Sequence, residues 1–465
     1  MTSRLTRHLR FAAPHAVAAP IAPAPVAPGR AAAPTAGQPA HDPPLAPRDE
    51  TIFLLHIAAE VEHALLVQYL FAAYSLKDPS DLPADQGALV RAWRDTIVTV
   101  AREEMGHLIT VQNLLRALGG PLSFARDEFP FHSGFYPFPF KLEAISKDSL
   151  AKYAFAEMPA PDIAQSIDGV TPAEINDITA RAATDNVGVP VNRVALLYDR
   201  LITLVGGLPA SDFNQSTIGR QGRFDEWGLG NHDLVIRQVG TRDQAVQALL
   251  AVAEQGEGPQ TATAAAQDES HFQRFLGVFR AFPGDGPWQP ALPVAENPNA
   301  TEPPDSNASD PERITHPGAR LWAQLCNRRY RMLLTDLSHA LDLETPVTPG
   351  ANLTPRGVLL SWAFGEMYHL RSISRILMRL PLTAAAGETR AAGPSFEMPF
   401  TLDLPSQEAD RWKMHRDLIT GTAPLIDGLK ALPPDQSDPI FHAYLDGMRS
   451  TDAEALQIAV QAIAQ

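Results

Sequence analysis

Residues 101–118 read AREEMGHLITVQNLLRAL, and their apolar side chains recur with the period of an α-helix. The apolar face of this helix consists of Trp93, Ile97, Val100, Leu108, Val111, Leu115 and Leu118. Glu104 and His107 lie on that same face, three residues apart. Glu103, one step around, shares its face with threonines such as Thr110, so we expect it to be solvated. A carboxylate buried without a partner is unfavourable, so the pattern predicts a positive charge beside Glu104.

An earlier helix shows the same feature. The stripe that begins after Glu50 consists of Leu55, Ala58, Glu62, Leu65, Tyr69, Ala73 and Leu76. Every member except Glu62 suits a hydrophobic core. Tyr69 is the candidate catalytic residue of this stripe, as a hydrogen-bond donor or radical carrier, although a buried tyrosine also packs its ring and satisfies its hydroxyl locally.

Two later helices repeat the pattern. A third helix is predicted from Thr241 to the sequence GEGP, and its stripe continues to Glu257, whereas Glu254 lies off the stripe. A fourth helix is predicted over residues 263–282, with Asp268 and His271 on one face. The glycines around Glu257 leave the choice between Glu254 and Glu257 open.

Four helices with an acid on the apolar side, two of them with a histidine three residues later, indicate a shared cation site. Carboxylate and imidazole ligands suit iron or manganese. Two lone acids and two acid-x-x-His helices are the pattern of di-iron bundles. The fold class predicted is all-α, a four-helix bundle with a long crossover over residues 160–240, and the candidate metal ligands are Glu62, Glu104, His107, Glu257, Asp268 and His271.

Composition excludes several classes of function. The chain has 465 residues, is 45% hydrophobic and carries a net charge of -15, which argues against nucleic acid and anionic membranes as partners. Cys326 is the only cysteine, so disulfides within the chain and cysteine-based metal sites are excluded and a reducing cytoplasm is expected. We expect a small-molecule substrate and no membrane span, and a homo-oligomer is compatible with the sequence.

The composition also predicts the domain boundaries. Residues 1–47 are rich in alanine and proline and are predicted to form a disordered extension. Residues 48–283 hold the metal-binding bundle, residues 284–313 read as a linker, and residues 314–465 form a second helical domain.

The second domain contains a partial copy of the first. FGEMYHLRSISRILMRL at 364–380 matches the quoted helix, with Glu366 and His369 at the places of Glu104 and His107. Two matching segments in the same order indicate internal duplication. Ala323 stands where Glu62 is expected, so we predict a degenerate bundle in which Glu366 and His369 form a structural pair. A second metal centre is the alternative.

The segments HIAAEVEHALLVQYLFAAYSL, EEMGHLITVQNLLRALGG, SLAKYAFAEMP and SHFQRF together resemble the ferritin-like domain of iminophenyl-pyruvate dimer synthases. The resemblance covers about residues 50–285. It implies a ferritin-like bundle, a non-haem di-iron cofactor held by the six candidate ligands, and oxidative coupling of an amino-acid-derived imine in secondary metabolism.

Two other functions are compatible with the same residues. One is iron storage or peroxide detoxification, which requires assembly into a shell. The other is a structural or partner-binding bundle that has lost its metal, which the aspartate at 268 and the missing acid of the second domain favour. Metal content separates this last function from the others.

Overall fold

The structure is a computed structural model, and it describes residues 9–11, 34, 38–131, 138–184, 192–227, 233–258, 269–284, 286, 288–301, 310–344 and 354–464. The helices are α1 (Pro47–Tyr74), α2 (Ala84–Ala117), α3 (Lys147–Ala156), α4 (Pro161–Ser166), α5 (Pro172–Ala182), α6 (Val194–Gly207), α7 (Phe224–Trp227), α8 (Arg242–Glu257), α9 (His271–Ala281), α10 (Pro317–Asp342), α11 (Pro355–Leu377), α12 (Glu408–Thr420), α13 (Ala423–Ala431) and α14 (His442–Ile463). Short 3-10 helices lie at Pro79–Asp81, Ala210–Asp212, Gln215–Arg220 and Pro439–Phe441. The predicted all-α class is confirmed.

The chain divides into two compact units. Unit 1 comprises residues 1–73, 78–141 and 145–290, and unit 2 comprises residues 74–77, 142–144 and 291–465. No single helix in the described ranges is long and apolar enough to cross a bilayer, while the bent pair Val194–Gly207 and Ala210–Trp227 meets that test by length and composition only.

The two long helices of unit 1 lie where the sequence predicts them. α1 is apolar on nearly all sides and is buried along most of its length. α2 ends at Ala117 because Gly119 adopts a positive φ of 71°, a conformation that glycine reaches without strain and that stops an α-helix. These helices hold Glu62, Glu104 and His107.

The crossover between α3 and α8 is more helical than its polar composition suggests. It contains α4, α5, α6 and α7, and α6 packs against α8. The buried residues of α6 are Val194, Ala195, Leu197, Tyr198, Arg200, Leu201, Leu204 and Val205. This spacing is that of an amphipathic helix, and it places Tyr198 in the interior.

The last two helices of the bundle begin at capped positions. α8 starts after Thr241, whose side chain accepts a hydrogen bond from the amide of Gln244. The fourth predicted helix is not continuous, because residues 269–270 are non-helical and Ser270 forms a capping box with Gln273 at the start of α9, which begins at His271. Asp268 lies outside the described residues.

Residues of the predicted extension also form regular structure where they are described. Leu9–Phe11 (β1) pairs antiparallel with Pro39–His41 (β2), with Arg10 opposite Ala40. Residues 38–47 then lead directly into α1. Disorder of the remaining extension stays a prediction.

Unit 2 consists of α10 to α14, with α10 packed on α11 and α12 on α14. Cys326 is buried. Part of the predicted linker is hydrogen-bonded within this unit, since the amide of Ala295 donates to the carbonyl of Ala391 and the amide of Ile314 donates to that of Asn299. An origin of unit 2 by duplication stays a prediction.

Candidate metal centre

Two histidines converge on one buried carboxylate in unit 1. Glu104 and His107 come from α2 and His271 comes from the first position of α9, and one ligand atom of each lies within 4.8 Å of the others. His271 Nδ1 is 2.7 Å from Glu104 Oε1, and His107 Nδ1 is 3.1 Å from Glu104 Oε2. The three residues are at most 2% exposed. Glu104 therefore faces a different imidazole with each of its oxygens.

Two more carboxylates lie at the edges of this cluster. Glu62 Oε2 is 3.6 Å from His107 Nδ1, and Glu157 Oε2 is 3.7 Å from His271 Nδ1. Each of these acids accepts a hydrogen bond from a buried tyrosine. Tyr198 OH donates to Glu62, and Tyr69 OH donates to Glu157 Oε1 at 2.5 Å.

Tyr69 is therefore one contact away from the cluster. Its ring packs against Tyr153 and Phe275, with centroid distances of 4.9 Å and 4.7 Å. Burial raises the pKa of the Tyr69 phenol well above its usual value, and the charge of Glu157 adds to this effect. Its hydroxyl is satisfied locally, and it holds the Glu157 carboxylate in place.

The outer nitrogens of both imidazoles are hydrogen-bonded away from the cluster. His107 Nε2 lies 3.0 Å from Gln255 Oε1, and His271 Nε2 lies 2.8 Å from Glu103 Oε2. Arg274 in turn donates to both oxygens of Glu103, at 2.8 Å and 2.7 Å. With the outer nitrogen protonated, the Nδ1 lone pair of each ring faces the cluster, as metal-binding histidines require.

The expectation that Glu103 is solvated is wrong, because that face of α2 is covered. Glu103 is 1% exposed and Thr110 is fully buried. The extended segment that precedes α8 lies against this face. Thr110 Oγ1 donates to the carbonyl of Val235 at 2.7 Å and accepts from the amide of Arg237 at 3.1 Å. The face of α2 that carries Thr110 is therefore hydrogen-bonded to the backbone of this segment and not to water.

Gly106 permits this close approach. A Cβ at Gly106 would lie 3.2 Å from both the amide nitrogen and the carbonyl oxygen of Val235, which is tighter than ordinary contact. The backbone of the crossover therefore touches α2 between the two candidate ligands, Glu104 and His107.

The structure also separates the two candidate acids of α8. Glu257, at the end of the helix, is 4% exposed and lines a small cavity together with Glu62, Glu104, His107 and Glu157. Glu254 is exposed. The volume of the cavity is about 10 Å³, which is room for about one water molecule.

Burial and mutual repulsion shift the proton affinities within the cluster. Burial, followed by the charge of Glu104, raises the pKa of Glu62 to about 8. Burial alone would lower the pKa of His107, but Glu104 and Glu62 outweigh it and raise that pKa to about 10. Burial opposes ionisation of Glu104, yet the two imidazoles hold its pKa well below the usual range. Without a metal, protons provide the positive charge of this cluster.

The residues present fit a metal ion. Glu104 Oε1 and His271 Nδ1 are buried and 2.7 Å apart, yet neither has a hydrogen bond of acceptable geometry within the described part of the chain. No lysine or arginine among the described residues forms an ion pair with Glu62, Glu104 or Glu157. Several carboxylates with two imidazole nitrogens are a ligand set for iron or manganese.

The structure brings together five of the six candidate ligands. Those five are Glu62, Glu104, His107, Glu257 and His271, and the sixth, Asp268, is not described. Sequence reasoning missed Glu103, Glu157 and Tyr198. A signal existed for two of them, because Glu157 continues the apolar stripe Leu150, Ala154 of α3 and Tyr198 lies in the apolar repeat of α6. The sequence contains no such signal for Glu103.

Comparison with known proteins agrees with this geometry. Residues 55–280 match the family model described as Ferritin-like. The chain is 27% identical over 402 residues to dichlorochromopyrrolate synthase from Lentzea aerocolonigenes, covering 76% of this chain and 36% of that protein. It is 26% identical over 387 residues to 2-imino-3-(indol-3-yl)propanoate dimerase from Chromobacterium violaceum, covering 74% of this chain and 33% of that protein. The chain thus spans about a third of the length of these curated relatives.

A solved structure of a ferritin-like protein from Caulobacter vibrioides is also similar, at 18% identity and a TM-score of 0.37, over 70% of this chain and 96% of that one. The resemblance predicted from the sequence motifs is confirmed by the family match and the two enzymes. Residues 55–280 therefore form a ferritin-like domain, in a chain related at modest identity to dichlorochromopyrrolate synthase and the indolyl imine dimerase.

Proposed function

We propose that the ferritin-like domain binds a pair of iron ions, with manganese as the alternative metal, and oxidatively couples a small imine derived from an aromatic amino acid. The observation that carries this proposal is the convergence of Glu104, His107 and His271 with ligand atoms within 4.8 Å. The two relatives support the substrate class, because one is named for dimerising an indolyl imine and the other for making dichlorochromopyrrolate.

The ligands would be Glu104, His107 and His271, with Glu62, Glu157 and Glu257 completing the set. Bound iron or manganese supplies one-electron redox chemistry that amino-acid side chains lack. The chain provides orientation through hydrogen bonds to the outer sides of its ligands. Tyr198 holds Glu62, Tyr69 holds Glu157, and the Arg274 and Glu103 pair holds His271.

The surroundings of the site exclude bulk water. The apolar lining of the cavity consists of Leu65, Val194, Val252 and Ala253. Low polarity strengthens electrostatic interactions between the carboxylates and a cation. A cavity of about 10 Å³ has room for about one water molecule, so an organic substrate must bind outside it.

The same cavity favours a second candidate function, the reduction of peroxide. A peroxide-consuming site needs room for a small inorganic molecule and no pocket for an organic substrate. The cavity volume of about 10 Å³ suits that reaction. Products distinguish the two functions, because peroxide reduction leaves the imine monomeric.

The first experiment measures metal in the purified full chain by mass spectrometry. We expect iron or manganese in the wild type, and loss of most of it in the double variant Glu104→Ala, His107→Ala. A matched pair on α8 sharpens the test, since Glu257→Gln removes a buried acid of the cavity and Glu254→Gln removes an exposed acid three residues away. Full metal content in the double variant contradicts the site.

The second experiment tests the reaction with the loaded protein. The indolyl imine, generated in place by an amino-acid oxidase, is incubated with dioxygen, and products are measured by mass spectrometry. A dimer that forms with wild type and not with Glu104→Ala, His107→Ala supports coupling. Peroxide consumption with no dimer supports the second function. Loaded protein that does neither contradicts both.

A further inference from the structure

Unit 2 contains a second, larger cavity that the proposed function does not use. Its volume is about 270 Å³. Its titratable and charged lining residues are Arg329 and Asp336 of α10, Glu366 and His369 of α11, His415 of α12 and Asp452 of α14. Its apolar wall is formed by Met332, Trp362, Leu418 and Ile419. Tyr444 contacts this set through a 3.0 Å hydrogen bond with His369 Nδ1.

Acids outnumber cations in this cavity. Arg329 forms a two-pronged pair with Asp452, at 2.7 Å and 2.5 Å, and reaches Glu366 Oε1 at 3.0 Å. This guanidinium therefore already faces two acids on its terminal nitrogens. Asp336 is not hydrogen-bonded to Arg329. It pairs with His415 Nδ1 at 3.0 Å. An anionic ligand would meet three carboxyl groups here, so the charge favours a cation or a hydrogen-bond donor.

Two carboxyl oxygens in this cavity are unpartnered. Asp336 Oδ2 and Glu366 Oε2 are buried and have no hydrogen-bond partner among the described residues. Asp336 is 2% exposed and Glu366 is 5% exposed. A buried acceptor without a donor is unfavourable, and donors on a bound molecule would satisfy both oxygens.

A metal ion is a poor occupant. Within the described ranges, the only set of acidic, histidine or cysteine residues whose ligand atoms lie within 4.8 Å of one another is that of Glu104, His107 and His271. Asp336, Glu366 and the two histidines that line this cavity, His369 and His415, do not converge to that degree. The volume and the apolar wall instead suit an organic molecule with a donor at one end.

A chain of hydrogen bonds links this cavity to the surface. Asp336 Oδ1 contacts His415 Nδ1 at 3.0 Å, His415 Nε2 contacts His339 Nδ1 at 2.9 Å, and His339 Nε2 contacts Glu408 Oε1 at 3.0 Å. His339 is fully buried, whereas the Glu408 side chain is 49% exposed. This series of hydrogen bonds thus runs from a buried acid, Asp336, to an acid in contact with solvent, Glu408.

The number of protons in this hydrogen-bond chain shows that it can move a proton from one end to the other. Two neutral imidazoles supply two of its protons, and the carboxyl group at one end supplies the third. When Asp336 supplies it, Asp336 gives its proton to His415 Nδ1, His415 gives its Nε2 proton to His339 Nδ1, and His339 gives its Nε2 proton to Glu408. Every group keeps its hydrogen bond, and one proton has left the cavity.

We propose that the unit 2 cavity binds a small protonated amine with an aromatic or aliphatic body, whose ammonium group donates to Asp336 and Glu366 while the Asp336 proton leaves through His415 and His339 to Glu408. The apolar wall, including the indole of Trp362, covers the body of the ligand. Burial raises the pKa of Glu366 to about 8 and also raises that of Asp336, so burial favours the protonated form of both acids in the empty cavity.

Binding of phenethylamine to the full chain tests this proposal by titration calorimetry. We expect saturable binding of the amine, binding weaker by roughly ten-fold or more for the uncharged analogue 2-phenylethanol, and none for 3-phenylpropanoate. Asp336→Asn and Glu366→Gln should each weaken amine binding by roughly ten-fold or more, whereas Asp417→Asn, an exposed acid of α12, should leave it unchanged. Tighter binding of the acid than of the amine overturns the proposal, as does unchanged binding in Asp336→Asn.

Proton release gives a readout that does not depend on the stability of these variants. Wild-type titrations in phosphate and in Tris should differ in heat, because the two buffers take up the released proton with different enthalpies. His339→Gln should retain amine binding but release the proton more slowly, measured by stopped flow with a pH indicator. Amine binding without proton release overturns the route through His415 and His339.

Discussion

The E-x-x-H motifs of α2 and α11 have similar sequences, and they differ in what neutralises the acid. In α2, Glu104 faces His107, His271 and further carboxylates. In α11, Glu366 contacts Arg329, and His369 turns to Tyr444. The motif alone therefore does not define a metal site.

The difference arises on the neighbouring helix. In the sequence match that pairs Tyr69 with Tyr330, Gln68 corresponds to Arg329. Gln68 is buried and uses its amide for backbone groups, donating to the carbonyl of Ala64 and accepting from the amide of Lys141. Arg329 brings a permanent charge to the matching position of the sequence. Where the chain supplies a guanidinium to the acid of the motif, a metal ion is not needed to neutralise that acid.

The largest expected effect is the loss of this internal cation. Arg329→Met leaves Glu366 and Asp452 buried without a cation beside them, which should lower the free energy of unfolding by about 3–5 kcal/mol. Urea denaturation followed by circular dichroism measures the change. Arg416→Met, an exposed arginine of α12, is the control and should stay within about 0.5 kcal/mol. Equal midpoints for both variants would show that Arg329 does not compensate these acids.

Metal binding should stabilise the folded chain through the α2 site and not through the α11 motif. With iron(II) under anaerobic conditions, or manganese(II), at about 100 times the dissociation constant, the wild type should gain about 2.7 kcal/mol against unfolding. Glu104→Gln should abolish this gain and Glu366→Gln should keep it. Thermal unfolding with and without a chelator measures it. A gain that depends on Glu366 would reverse the assignment of the two helices.

A smaller effect is expected from the residue that orients His271. Glu103→Gln keeps the size of the side chain but weakens its contacts with Arg274 and His271, so metal affinity should fall by roughly 10- to 100-fold. Competition with a chromophoric chelator measures the affinity, and Glu254→Gln is the matched control. An unchanged affinity would mean that Glu103 serves stability alone.

The pH dependence of metal binding has a definite sign. The pKa of His107 is raised to about 10, above its ordinary value, so the proton stabilises the metal-free fold at low pH and this contribution is lost as the pH rises through 10. Metal must displace that proton and the one on Glu62, whose pKa is about 8. Apparent affinity should rise by up to about ten-fold per pH unit for each displaced proton between pH 6 and 9. Chelator competition across that range measures the slope, and a flat or falling profile contradicts it.

Local periodicity predicted the long helices and most of the cluster, because buried stripes and caps are encoded within one or two turns. Glu62, Glu104 and His107 follow from such stripes alone. Glu103 could not be placed, since its partners His271 and Arg274 lie on α9, more than 160 residues later in the chain. The start of α9 was misplaced because the Ser270 cap outweighs the polar periodicity before it.

Gly106 and its counterpart Tyr368 occupy the third position of the two motifs. A side chain at Gly106 would press on the backbone of Val235, whereas the ring of Tyr368 is 70% exposed. Gly106 thus lies on a helix face that the crossover covers, whereas Tyr368 lies on a helix face that is open to water. When sequences related to this chain are sorted, glycine before the histidine offers a diagnostic for the helix proposed to bind metal, and this diagnostic needs no coordinates.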